Sequence, residues 1–179
     1  MYPFYFIIVV ILIATISIWL FFSYRPKKQK KTNSLYTDAL NAMLRTDKHE
    51  AITLLKEVVK TDSNHVDAYL QLGNILREDD PHRSIKIHQM LTVRPKLSKE
   101  IKIEIFKSLA MDYEIIDDLN KAKQEAEQIL LIDKRNKWAI SFLLDIGEKI
   151  EDWDYAENKA RQLQKISDNS DAINLAKYI

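Results

Sequence analysis

Four histidines, His49, His65, His82 and His88, are the side chains of this sequence best suited to proton or metal chemistry. None has a second histidine one helical turn away, and no set of carboxylates stands beside any of them at metal-ligand spacing. His88 falls where a paired-helix repeat packs an aromatic ring, which suits a core role. No serine lies in a G-x-S-x-G context, and Gly73 and Gly147, the 2 glycines of the chain, are too few for a phosphate-cradling loop. Cysteine is absent, which removes disulfides, thiolate zinc sites and cysteine nucleophiles. No catalytic residue, metal site or cofactor is expected. The polar residues that remain informative are suited to holding another chain. The Asn74 amide can both donate to and accept from a bound backbone, and the Arg77 guanidinium can pair with a carboxylate.

What must position Asn74 and Arg77 is the stretch from Tyr69 to Pro95. It reads Tyr69-Leu-Gln-Leu-Gly-Asn-Ile-Leu76, a polar break, Ser84-Ile-Lys-Ile-His-Gln-Met-Leu91, then Arg94-Pro95. Tyr69, Leu72, Gly73, Leu76, Ser84, His88 and Pro95 stand at or near the positions of the helix–turn–helix pattern W-x2-L-G-x2-Y…A-x3-F…P of a tetratricopeptide repeat. Leu72 and Leu76 share one helical face, Gly73 admits a second helix, and a small Ser84 fits the crossing. One such hairpin cannot bury its apolar face alone, and the pattern recurs. Phe106-x2-Leu109-Ala110-x2-Tyr113 leads to Ala122-x3-Ala126, and Ile140-x2-Leu143-Leu144-x2-Gly147 leads to Ala156-x3-Ala160. The small residues opening the second helices are Ala51, Ser84, Ala122 and Ala156, a period of about 34 with a lengthened connection at Arg94–Glu100.

The expected fold is all-α: an N-terminal transmembrane helix, then a right-handed tetratricopeptide superhelix of about four hairpins. The boundaries are an anchor at 1–24, a basic hydrated linker at 25–33 and a repeat domain at 34–179. Within it the repeats run 34–62, 66–95, 99–133 and 137–167, with a terminal helix at 170–179. Such an array offers a concave groove lined by the first helices, where a protein segment can lie. The residues expected to face it are Leu40, Met43, Asn74, Arg77, Lys107, Met111, Glu114 and Asp145, with Glu148 beyond.

Composition agrees with a helical chain of about one domain plus appendages: 179 residues, 46% apolar, 30% charged. The formal net charge of +1 is unevenly spread. Residues 1–31 hold five basic side chains, Arg25, Lys27, Lys28, Lys30 and Lys31, and no acid, which leaves 22 basic residues against all 26 acidic ones in the remainder. That balance argues against a nucleic-acid partner. Met1 to Tyr24 carries no charged side chain, and Phe4–Phe22 is almost wholly Ile, Val, Leu and Phe, long enough for a hydrocarbon core of roughly 30 Å. Aromatics gather at both ends, and no basic residue precedes the apolar run as a signal peptide requires, so a retained single span is expected. The basic cluster behind it predicts a cytoplasmic repeat domain.

Val66-Asp-Ala-Tyr-Leu-Gln-Leu-Gly-Asn-Ile-Leu-Arg77, Arg83-Ser-Ile-Lys-Ile-His-Gln-Met-Leu91, Leu97-Ser-Lys-Glu100 and Leu109-Ala-Met-Asp-Tyr113, behind a span with a basic flank, together resemble the N-terminal half of the lipopolysaccharide assembly protein B family. The resemblance implies a bacterial inner-membrane adaptor facing the cytoplasm. Its implied partners are the membrane protease FtsH, which degrades the deacetylase committing precursors to lipid A, and proteins of lipopolysaccharide synthesis and transport. The family's later repeats and C-terminal rubredoxin-like zinc module have no counterpart here, and without cysteine none of the zinc ligands carries over. The alternative is a general tetratricopeptide scaffold recruiting another envelope complex. Circular dichroism of residues 32–179 should be strongly helical and unchanged by chelator. An unfolded fragment, or helicity lost on chelation, would contradict this reading.

Overall fold

The computed structural model describes the backbone of residues 2–176 and the side chains of residues 5, 7–20 and 31–166. Among the described residues there is no strand. The helices are α1 (Tyr2–Leu44), α2 (Lys48–Thr61), α3 (Val66–Leu76), α4 (Pro81–Thr92), α5 (Lys99–Ile115), α6 (Leu119–Ile132), α7 (Lys137–Lys149) and α8 (Trp153–Ala176).

Short polar residues mark where most of these helices begin. Asp47, Asp80, Ser98, Asp118 and Asn136 each accept from the backbone N–H three residues on, and Asp152 does the same for Tyr155 at 3.2 Å. For α3 the acceptor is a histidine ring, His65 Nδ1, bonded by the Ala68 N–H at 3.2 Å. Each such bond satisfies one of the donors a helix start leaves free. The turns inside three hairpins share one device. Thr46, Asp117 and Glu151 adopt left-handed φ values of 59–60°, and the next residue's N–H reaches back to Ala42, Tyr113 or Gly147 at 2.9 Å. That closes the end of one helix and presents the aspartate that caps the next. Between α3 and α4 the device is missing. There Asp80 N–H bonds Leu76 O at 2.8 Å and Pro81, which has no N–H to lose, opens the helix.

The chain divides into two compact units, Met1–Ala68 and Tyr69–Ile179. In the first, Ala39 and Ala42 of α1 and Ala51, Leu55 and Val58 of α2 are completely buried. Alanines at the crossing let the axes approach, so the larger side chains fill the space on either side. In the second, α4 packs on α5, α5 on α6, α6 on α7 and α7 on α8. The core comprises Ile105, Leu109 and Ala110, then Ala122, Ala126 and Ile129, then Ile140, Leu143 and Ile146. Each buried Leu or Ile contributes about 1.5–3 kcal/mol relative to exposure.

Two segments differ from the sequence expectation. α1 runs unbroken from Tyr2 to Leu44, so residues 25–33 are helix where a hydrated linker was expected. Lysine and glutamine have good helix propensity, and a segment with helix on both sides meets no nucleation cost, which offsets the N–H that Pro26 lacks. Likewise α8 continues to Ala176, so residues 170–176 prolong that helix and do not start a separate one. Among the described residues no helix is long and apolar enough to cross a membrane. The described side chains of the apolar run end at Leu20, and 7–20 spans only about 21 Å of helix.

The two glycines face different neighbours. A Cβ on Gly73 would fall 2.3 Å from His88 Nε2, whereas one on Gly147 would meet Ala156 Cβ and Tyr155 Cδ1 at 3.2 Å. Gly73→Ala should therefore destabilise the protein by about 1–3 kcal/mol through overpacking, and Gly147→Ala should lie within about 1 kcal/mol of wild type. Thermal melts of the two variants test this ordering.

Candidate functional site

The most developed polar arrangement among the described residues lies where α3 and α4 meet α5. Its centre is Asp112, whose side chain has 0% exposure. Arg77 Nε donates to Asp112 Oδ1 at 2.6 Å, and His88 Nδ1 donates to Asp112 Oδ2, also at 2.6 Å. The Ser84 hydroxyl lies 2.9 Å from both Asp112 Oδ1 and the Gly73 carbonyl, sharing its proton between them. On the other side Asn74 Oδ1 accepts from Arg77 Nη2 at 2.7 Å and from Ser108 Oγ at 2.9 Å. His88 Nε2 faces the Leu70 carbonyl at 3.2 Å. No buried side-chain nitrogen or oxygen among the described residues lacks a partner.

Each member is placed by local structure. Gly73 O is one of the last carbonyls of α3, and the Ser84 hydroxyl reaches it from the first turn of α4. Ser84 and His88 stand one turn apart on α4, and Ser108 and Asp112 one turn apart on α5, so each pair projects from a single stripe. Only Arg77, at 11% side-chain exposure, touches solvent while paired with Asp112. A buried carboxylate bonded by a guanidinium, an imidazole and a hydroxyl is held in place by all three. The network joins the second hairpin to the third.

Asn74 and Arg77, expected to face a partner, thus bond to each other and to Asp112 and Ser108. The other expected groove residues lie apart from this network. Lys107 Nζ sits 5.3 Å from the Trp138 ring centroid and 3.9 Å from Glu104, and Glu114 pairs with Lys149 of α7. Met111 is half-buried, and Asp145 and Glu148 are exposed. Leu40 and Met43 are half-buried within the first unit. Of the basic cluster, Lys31 pairs with Glu57 at 3.6 Å, while the side chains of Arg25, Lys27, Lys28 and Lys30 lie outside the described residues. Among the described residues no group of three or more histidines and carboxylates is placed to hold a metal ion. Sequence reasoning missed Asp112 as a site residue. The available signal was an aspartate on the buried stripe of α5, one turn from Ser108.

No family model matches the chain. Lipopolysaccharide assembly protein B of Escherichia coli (strain K12) is 26% identical over 160 residues, covering 87% of this chain and 41% of that protein. The Haemophilus influenzae protein of the same name is 28% identical over 152 residues, covering 79% of this chain and 38% of its own length. The chain is similar to the N-terminal part of lipopolysaccharide assembly protein B. It spans about two-fifths of the length of these curated relatives. Two solved structures share its fold. The MamA RS-1 ArsTM double mutant superposes with a TM-score of 0.70 at 15% identity, over 79% of this chain and 78% of its own. A tetratricopeptide repeat protein from Parabacteroides merdae gives 0.68 at 14% identity, over 78% and 54%. At these identities the likeness carries the helical repeat fold alone.

Removing one partner from a buried charged pair strands the other. Asp112→Ala should cost about 3–5 kcal/mol in urea unfolding, and a joint Arg77→Met, Asp112→Leu replacement should recover a large part of that loss. A loss below about 1 kcal/mol for Asp112→Ala would contradict the buried pairing.

Proposed function

We propose that the chain is a non-enzymatic adaptor, anchored by one span in the bacterial inner membrane with its repeats in the cytoplasm, and serving the regulation or assembly of lipopolysaccharide synthesis. The observation that carries this reading is the similarity to lipopolysaccharide assembly protein B over 87% of the chain. The course of α1 supports the anchor. Ile7 to Ile13, Ile16, Ile18, Trp19 and Leu20 are all exposed along one helix that continues into the first hairpin. Leaving such a run of side chains in water forfeits on the order of 25 cal/mol per Å² of apolar area, and a bilayer removes that cost. The sequence continues without a charge to Tyr24, beyond the described side chains, and the five basic residues follow at once.

Partners on this reading are proteins: the FtsH protease or components of lipopolysaccharide synthesis and transport. Tetratricopeptide folds bind protein segments, and Lys107, Met111, Glu114 and Asp145 remain candidates for that contact. A reporter active only in the cytoplasm, fused after Ile179, should be active in membranes that resist carbonate extraction. Replacing Arg25, Lys27, Lys28, Lys30 and Lys31 by neutral residues should weaken the orientation. Release of the chain by carbonate, or strong activity of a periplasm-only reporter, would refute the reading.

A further inference from the structure

Two adjoining clefts open on the second unit where α4, α5 and α6 meet, of about 520 and 260 Å³, sharing Thr92, Phe106 and Gln128. Ile105 and Leu109 at the bottom are buried, and Phe106 is half-buried above them. The rims are open and mixed: Val93 is 83% and Leu131 76% exposed, beside the exposed amides of Gln89, Gln124 and Gln128. We propose that this continuous cleft docks an amphipathic helix of a partner protein, one that carries a basic residue at one end of its apolar stripe and an acidic residue at the other.

Charges at the two ends of the cleft set that chemistry. Glu125 lines the larger cleft and Lys102 the smaller. Among the described residues neither has an ion-pair partner. The lysine one turn before Glu125, Lys121, is bonded to Asp118 at 2.7 Å, and Lys123 pairs with Asp152 at 3.5 Å. Glu125 is therefore a half-buried carboxylate with no cation, and burial pushes its carboxyl above the usual range. A ligand ammonium or guanidinium would offset that desolvation, and a ligand carboxylate would match Lys102 at the far end. An apolar floor, the exposed Val93 and Leu131, and an open side suit an amphipathic helix laid in a groove better than an enclosed small molecule. The chain's own exposed apolar segment, Tyr5 to Leu20, has no charge to offer either end. The inference deepens the adaptor reading by naming a partner surface, but its test is read on binding alone and can fail while anchor and topology stand.

The test uses the full chain in lipid nanodiscs, with empty nanodiscs as baseline, and fluorescence anisotropy of labelled helical peptides that share one leucine stripe. The peptides differ only at the stripe's ends: lysine and glutamate, lysine at both, or glutamate at both. Wild type should bind the mixed peptide about fivefold more tightly than either like-charged one. Lys102→Glu should shift the preference to the double-lysine peptide and Glu125→Lys to the double-glutamate peptide, while Leu131→Ser, at an exposed position, should weaken all three by about fivefold or more. Equal affinities, preferences that ignore the substitutions, or no binding above baseline would overturn the proposal. So would a concentration-dependent dimer that Leu131→Ser dissolves, since the occupant would then be a second copy.

Discussion

A carboxylate with no access to water must be neutralised and hydrogen-bonded where it stands, and Asp112 sets that requirement on everything near it. Arg77 can meet it only if α3 ends close to α5, and His88 and Ser84 only if α4 presents the same stripe to both neighbours. Those conditions fix the register of the second hairpin against the third. They also constrain Gly73: the His88 ring that serves Asp112 occupies the volume a Cβ would need. The glycine is thus explained less by helix approach in general than by one ring. An apolar core tolerates sliding among similar side chains, whereas a network whose every acceptor is filled does not. The polar centre supplies uniqueness where the surrounding leucines and isoleucines supply most of the burial.

The rest of the second unit has a simpler logic. Small residues at Ala110, Ala122, Ala126, Ala139 and Ala156 let helices approach, and Ile105, Leu109, Ile129, Ile140, Leu143 and Ile146 fill the interstices with almost no exposure. Aspartates at 118 and 152, like Asp47 in the first unit, cap the second helix of a hairpin directly after a residue in the left-handed region. The second hairpin lacks that turn and has Pro81 in its place, and it is also the hairpin held by the buried network. There a side-chain bond, Ser84 to Gly73 O at 2.9 Å, satisfies a helix-end carbonyl.

The helical hairpins were legible in the sequence because their signal is local and repeated. Ala51, Ser84, Ala122 and Ala156 recur at nearly one period, and all four are buried. Asp112 was not legible as a site residue, because an aspartate within a helix usually faces solvent and only the neighbouring hairpin decides otherwise. Asn74 and Arg77 were recognised as informative, but the groove reading gave them to a partner. Their bonds run to Asp112 and Ser108, more than thirty residues on, beyond the reach of spacing rules. Residues 25–33 read as a linker from charge and Pro26, which weigh local composition and omit the propagation of helix from both sides. The α4–α5–α6 cleft combines residues from Gln89 to Ile132 and has no linear signature.

The central claim is that Asp112 makes the second and third hairpins one cooperative body. Native-state hydrogen exchange reads this directly, since amides that open together share one free energy of opening. In wild type the slowest amides of α4 and α5 should exchange with the same opening free energy, and in Asp112→Ala those of α4 should open at a lower one. Distinct opening free energies for α4 and α5 in wild type, unchanged by the substitution, would contradict the account.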